Sequence, residues 1–292
     1  MDSKNQSHKQ NPDDIAATFE YWQKLSRNWN KFGPPLRPSA QDAAFMTEAI
    51  NSWANGNGVP RALILGVTPE LYHLPWPKET DIIAVDHNPA MIDNVWPGPR
   101  NAVICEEWLD MPLEKNSCDI ALCDGGISVF AYPHDHQRFV RELHRIIAPN
   151  GLCMFRLFVP QNERQEPDKV LQDLLAAKIP DLNHFKLRIW GAMYNDTTKD
   201  IQLKDVWDVI HNVVPDLKSL AEKLDWRTDT LFMIDAYRNN PTRFVFPNVD
   251  DVRHLFCKDP GGFEFVSVHV PTYALGECCP TVVFRRIDTE NG

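Results

Sequence analysis

Gly66, Asp86 and Asp124 are the residues whose types and spacing could do chemistry. Each stands at the end of a short apolar run: 61–65 leads into Gly66, 81–85 into Asp86, and 118–123 into Asp124-Gly125-Gly126. A glycine at such a point lets the backbone turn sharply and lie close against a bound molecule. Asp86, 20 positions after Gly66, can accept hydrogen bonds from two adjacent ribose hydroxyls. Either residue alone also serves as an ordinary turn or cap residue. Together they point to a ligand of adenosine type.

Placing these residues side by side requires a particular scaffold. Short apolar runs bounded by turn residues and separated by helix-length stretches read as strands of a parallel sheet buried on both faces. The ligand then belongs at their carboxyl ends. His87-Asn-Pro-Ala-Met91-Ile92 reads as a helix start, and Ala102-Val-Ile-Cys105 as a further strand, followed by Glu106-Glu107-Trp108-Leu109.

On these segments the chain, from about residue 61 to 158, resembles the class I S-adenosylmethionine-dependent methyltransferases. The run Leu-Gly-Val-Thr-Pro-Glu-Leu at 65–71 resembles a bacterial subgroup of them. The resemblance implies an α/β fold, a Rossmann-like seven-stranded, mostly parallel sheet with an antiparallel last strand, and S-adenosylmethionine as cofactor. It assigns Leu65, Gly66, Val67 and Thr68 to the methionine part, Asp86 to the ribose, and His87 and Met91 to the neighbourhood of the adenine. Glu107, Trp108 and Leu109 fall at the adenine edge, and Asp124, Gly125 and Gly126 at the fourth strand end. The segment 139–158 corresponds to the family's helix, Pro-x-Gly turn and fifth strand.

One departure stands out. Where the family has an acid two positions before its first glycine, this chain has Ile64, and a second glycine is missing from Val67-Thr68-Pro69. Asp124 or the loop backbone is the candidate replacement for holding the cofactor's ammonium. The same scarcity of glycine counts against a nicotinamide dehydrogenase, whose first turn needs three spaced glycines. Pro69 instead suits the first turn of a helix.

Outside the core, residues 1–12 read as a polar, disordered tail and 13–58 as a helical cover. Ile15, Phe19, Trp22 and Leu25 form a stripe, Pro34-Pro-Leu-Arg-Pro38 ends it, and Ser39 with Asp42 can cap a second helix over 41–53. As a cover, the first segment brings Tyr21, Trp22, Trp29 and Arg37 near the methyl group or the cofactor carboxylate, with Arg37, its backbone fixed by flanking prolines, well placed to pair with a carboxylate in bidentate fashion. As plain scaffold, the same stripe is core. The Rossmann-like unit spans 59–160. A helical insertion over 161–240 forms a possible lid, with Trp190, Tyr194, Trp207, His211 and Tyr237 as candidate substrate-lining residues. Residues 241–292 supply a last helix and the strand pair 263–270 and 281–285.

The 292 residues carry 30 basic and 40 acidic side chains, a formal charge of −10. The basic footprint of a nucleic-acid binder is missing, and a small-molecule acceptor is expected ahead of a peptide. No apolar run is long enough to span a bilayer. Seven cysteines without zinc or redox spacing, and no leader-like start, suit a reducing, cytoplasmic setting; no metal is expected, and a homodimer is compatible with the chain. If transfer needs a base, Asp124, Tyr21, Tyr194, His134, His136 and His211 are the candidates. The rival to an enzyme is a non-catalytic S-adenosylmethionine sensor, which the altered first motif favours.

Overall fold

A computed structural model describes residues 12–287. Helix α1 (Pro12–Ser26) and α2 (Ala40–Asn57) precede β1 (Arg61–Leu65), the short α3 (Pro69–Tyr72), β2 (Asp81–Val85), α4 (Pro89–Val95) and β3 (Val103–Ile104). Then come β4 (Cys118–Asp124), α5 (His134–Ile146) and β5 (Ile147–Arg156). The insertion holds α6 (Pro167–Leu175), α7 (Leu182–Met193), β6 (Asp200–Gln202), α8 (Leu203–Val213), α9 (Leu217–Lys223), α10 (Phe232–Asp235) and β7 (Arg243–Val245). The chain closes with α11 (Val249–Cys257), β8 (Phe263–His269) and β9 (Thr281–Arg286).

The main sheet has seven strands in the order β3-β2-β1-β4-β5-β9-β8. Strands β1 to β5 are parallel, and β9 runs antiparallel to both β5 and β8. This is the Rossmann-like α/β arrangement expected from the sequence. Alternate side chains of the strands serve opposite layers. Leu63, Leu65, Cys123, Phe155 and Phe284 pack with α5 and α11, whereas Ile64, Leu122, Met154 and Val283 pack with Met46 and Ile50 of α2 and with Met91 and Ile92 of α4. That placement explains the sequence departure at position 64: its side chain enters the apolar α2 layer, where an unpaired acid would be costly.

A third core joins the amino-terminal segment to the insertion. Tyr21, Leu25 and Phe32 are buried with Leu171 of α6, Phe185 of α7, Ile210 of α8 and Phe244 of β7. Phe19, assigned to the buried stripe by periodicity, is exposed. The buried face of α1 passes through Tyr21 and Leu25 instead. Ser39 caps α2 as its spacing predicts, accepting from the backbone N–H of Gln41 and Asp42, while Asp42 accepts in return from Ser39 N. The two-stranded sheet β6–β7 was not visible in the sequence pattern. Cys118, Cys123, Cys153, Cys278 and Cys279 are buried free thiols, but Cys105, expected at a buried strand, is exposed just beyond the short β3. The proposed disordered tail falls, except for Pro12, outside the described residues. Among the described residues, no helix is long and apolar enough to cross a membrane.

Candidate functional site

The carboxyl ends of β1, β2 and β4 open into a cavity of about 1040 Å³ including its mouth. Its floor holds Leu65, Gly66, Val67, Thr68, Asp86, His87, Asn88, Met91, Trp108 and Asp124 to Gly126. Gly66 has a φ of +92°, a conformation that burdens any L side chain. A Cβ there would lie 3.6 Å from the Trp108 ring and 4.0 Å from Asp86 Oδ2. The bare backbone therefore lets a ligand lie between loop and floor. The Trp108 indole is held in place by donating from Nε1 to Val85 O at 2.6 Å.

Asp86 accepts at Oδ1 from Asn88 N at 2.8 Å, which leaves Oδ2 for the cavity. Burial pushes its pKa up to about 6, against the hydrogen bond from Asn88. Asn88 in turn caps α4, accepting from Ala90 N and Met91 N. Its buried Nδ2 and the Nε1 of Trp29, also a cavity residue, have no hydrogen-bond partner among the described residues. Buried donors without partners are uncommon in finished structures. Both belong to residues that border the cavity.

Asp124 lies at the far side of the floor. Its Oδ1 is 2.7 Å from Arg156 Nη1, and Oδ2 is left to the cavity. Burial raises its pKa to about 6, more than Arg156 lowers it. Arg37 lines the cavity, yet it is already engaged: Nη2 is 2.6 Å from Glu70 Oε1, and Nη1 donates to Trp29 O and Phe32 O. The carboxylate that Arg37 pairs with in this structure is that of Glu70. Arg37 braces the cover onto the loop after β1.

The roof comes from both peripheral segments. Tyr21, Trp22, Leu25, Trp29, Phe32 and Leu36 of the amino-terminal part meet Lys186, Trp190, Phe244 and Phe246 of the insertion. Of the substrate candidates only Trp190 is there. Tyr194 and Tyr237 are buried in the third core or beside it without lining the cavity, and Trp207 stacks on His211, ring centroids 3.8 Å apart, elsewhere on α8. The buried face of α8 is Leu203, Val206 and Ile210, one step round from these two rings. His134 is exposed beside Asp135, and His136 is buried against the Ala131 carbonyl; neither reaches the cavity. Tyr21 does line it, but burial pushes its phenol above the usual value, so it remains a proton donor rather than a base. Glu107 is exposed and Leu109 packs with the α5 layer, so neither lines the cavity. Glu107 still acts on Asp86 through its charge. Among the described residues, no group of three or more His, Cys, Asp or Glu side chains is placed to hold a metal ion.

Comparison with known proteins meets the geometry at this point. Residues 63–155 match the methyltransferase-domain family. The match covers about a third of the chain, from β1 to the end of β5, and contains Gly66, Asp86 and Asp124. S-adenosylmethionine is the cofactor of such a domain. No curated protein shows significant sequence similarity. Among solved structures, a protein from Rhodobacter sphaeroides named a Zn-dependent alcohol dehydrogenase is 13% identical, with 93% of this chain and 98% of that one aligned and a TM-score of 0.60. The CcbJ methyltransferase of Streptomyces caelestis is 10% identical over 92% of this chain and 98% of its own, with a TM-score of 0.54. At these identities the likeness is one of fold. The aligned lengths extend beyond the matched segment into the peripheral parts of the chain.

The fit of the cofactor to this domain rests on its residues. Gly66 would let the methionine part approach the loop, Asp86 Oδ2 would accept from the ribose, Met91 and Trp108 would border the adenine, and Asp124 Oδ2 or the loop carbonyls would receive the ammonium. Sequence reasoning missed Asn88, Phe158 and Lys186 as cavity residues. We expect Asp86→Ala to weaken binding of S-adenosylhomocysteine at least tenfold, because each hydrogen bond to a charged acceptor is worth about 1.5–3 kcal/mol. Affinity for the wild type should rise between pH 5 and 7 as Asp86 ionises, and Asp86→Asn should flatten that rise. For the free protein the sign is opposite: the contribution of Asp86 to stability is whole below its ordinary value of 3.8 and is lost as the pH rises through about 6. Calorimetric titration at several pH values, with unchanged affinity in Asp86→Ala, would reduce this residue to a helix-start cap.

Proposed function

We propose that this protein transfers the methyl group of S-adenosylmethionine to a small-molecule acceptor. The observation that carries the reading is the cavity formed jointly by the strand ends of the segment that matches the methyltransferase domain and an aromatic roof. The bound cofactor would supply an already activated methyl group, so the chain's work is chiefly alignment and exclusion of water. Gly66 and Asp86 would fix the donor on the floor, with the loop carbonyls receiving its ammonium. Trp22, Trp29, Phe32, Phe158, Trp190, Phe244 and Phe246 offer flat apolar walls for an acceptor, with little in them to suit an extended peptide. Arg156 keeps Asp124 in place at Oδ1, and Asp124, with a pKa raised to about 6, is the carboxylate in position to take a proton from an acceptor.

A dehydrogenase role, the activity named for one neighbour of similar fold, lacks support at the first turn. Only Gly66 stands where three spaced glycines would admit a dinucleotide pyrophosphate. A sensor that binds the cofactor without turnover has in its favour the Ile64 departure, whereas the enclosed aromatic space beside the floor favours an acceptor. S-adenosylmethionine and S-adenosylhomocysteine are expected to raise the melting temperature, by about 2.7 kcal/mol of added stability at a hundredfold excess over Kd, and nicotinamide dinucleotides to leave it unchanged. The reverse preference would sink the proposal. Mass spectrometry of acceptor pools incubated with labelled cofactor separates enzyme from sensor: tight binding with no labelled product leaves the sensor.

A further inference from the structure

Two cations line the cavity from the peripheral segments among the described residues: Arg37, which is paired with Glu70, and Lys186. Lys186 sits on α7 with 1% of its surface exposed, yet it borders the cavity. Its Nζ lies 5.5 Å from the Phe32 ring centroid, 5.1 Å from that of Trp190 and 5.3 Å from that of Tyr237. Among the described residues it makes no salt bridge or hydrogen bond, and it is not among those with unprinted partners. Three aromatic faces attract a cation, but they do not replace the water it has lost. A buried ammonium normally has an anionic partner. Among the described residues no carboxylate takes that place: Asp124 is held by Arg156, and Glu70 by Arg37.

We propose that Lys186 is a specificity-determining residue that pairs with an anionic group of the acceptor, so that the acceptor is a flat, largely apolar molecule bearing a carboxylate. The proposal rests on the methyltransferase reading and adds the substrate class to it. The walls around Lys186 are rings, which suit a planar apolar body, and the single uncompensated charge suits one acidic group. Burial alone pushes the Lys186 pKa down to about 7, and an arriving carboxylate would favour its charged form again. The cofactor's own carboxylate is the competing partner. With the methionine part at the loop after Gly66, that carboxylate would lie by the floor, whereas Lys186 projects from the insertion and packs with Phe32, Trp190 and Tyr237 of the roof core.

Calorimetric titration of protein saturated with S-adenosylhomocysteine tests this with matched probes: benzoate against benzamide, and indole-3-carboxylate against indole-3-carboxamide. Wild type should bind at least one acid ten times more tightly than its amide. Lys186→Met should erase the preference and Lys186→Arg should keep part of it, while both retain S-adenosylhomocysteine affinity within about twofold. An absent preference in wild type, or one that survives in Lys186→Met, overturns the proposal. Loss of S-adenosylhomocysteine binding in Lys186→Met overturns it too, by assigning the lysine to the cofactor. Failure of wild type to bind S-adenosylhomocysteine at all strikes the underlying methyltransferase reading instead.

Discussion

Arg156→Met is expected to cost about 3–5 kcal/mol of stability, the usual penalty for removing one partner of a buried ion pair. Arg156 has no exposed surface and sits between two carboxylates, with Nη1 2.7 Å from Asp124 Oδ1 and Nε 3.5 Å from Asp42 Oδ1. It also donates to the Pro35 carbonyl and, at 3.2 Å, to the Tyr273 hydroxyl. One side chain on β5 thereby ties together β4, the start of α2, the turn that leads from the cover, and the β8–β9 connection. Methionine fills similar space but leaves Asp124 buried without its cation.

The pH dependence distinguishes this cause from simple misfit. The Asp124 pKa already stands near 6, above its ordinary value of 3.8, because of burial. Without Arg156 it should rise further. A carboxyl with a raised folded pKa keeps its contribution below the unfolded value and loses it as pH rises, so the deficit of the variant should be small near pH 4 and grow toward pH 8. Adding Asp124→Leu should restore part of the loss, since removing both partners is far cheaper than removing one. Urea unfolding at the two pH values measures it; an unchanged midpoint at pH 8 would mean that the ion pairs contribute nothing.

The knot around Arg156 also marks the boundary of what could be read in the sequence. Strands β1, β2 and β4 were legible because each is an apolar run closed by a turn residue, and the residues at their tips inherit a position from the strand itself. Gly66, Asp86 and Asp124 needed no tertiary information. The cap at Ser39 was equally local, but its acid, Asp42, was read only as a cap and not as a counter-ion to a residue 114 positions away. A signal existed: Arg156 interrupts a strand buried on both faces, and such a charge must be paired.

Lys186 was hidden in a different way. Lysine on a helix usually faces water, although its spacing from Leu182 and Trp190, four residues on either side, places it on the buried stripe of α7. Trp207 and His211 misled for the converse reason. They satisfy helical spacing with each other and stack, while the face that turns inward is the neighbouring one. Strands β6 and β7 have three residues each, too few to display alternation, and they pair across the stretch that holds α8 to α10. Contacts made between distant segments leave little local pattern.

Deletion of the chain through Pro38 is expected to abolish the cooperative fold of the insertion, not merely to uncover the cavity. Tyr21, Leu25 and Phe32 retain 3%, 5% and 8% of their surface, and burying a side chain of this kind contributes about 1.5–3 kcal/mol. Three of them together reach roughly 5–9 kcal/mol on that scale, comparable with the 5–15 kcal/mol that holds a typical domain. The deletion also removes Arg37 from Glu70 and the Pro35 carbonyl from Arg156. Point variants separate the two roles of this segment. Tyr21→Ala should lower the melting temperature severely, because it opens a hole in the third core beside Tyr237 and Phe244. Trp29→Ala, at a half-buried roof position, should chiefly weaken acceptor binding. Hydrogen exchange offers an independent check: segments 13–38 and 184–226 should gain protection when cofactor and acceptor are both bound. A deletion variant that melts cooperatively at the wild-type temperature would show the segment to be a removable cover, and identical exchange in free and liganded protein would show the roof to be fixed scaffold.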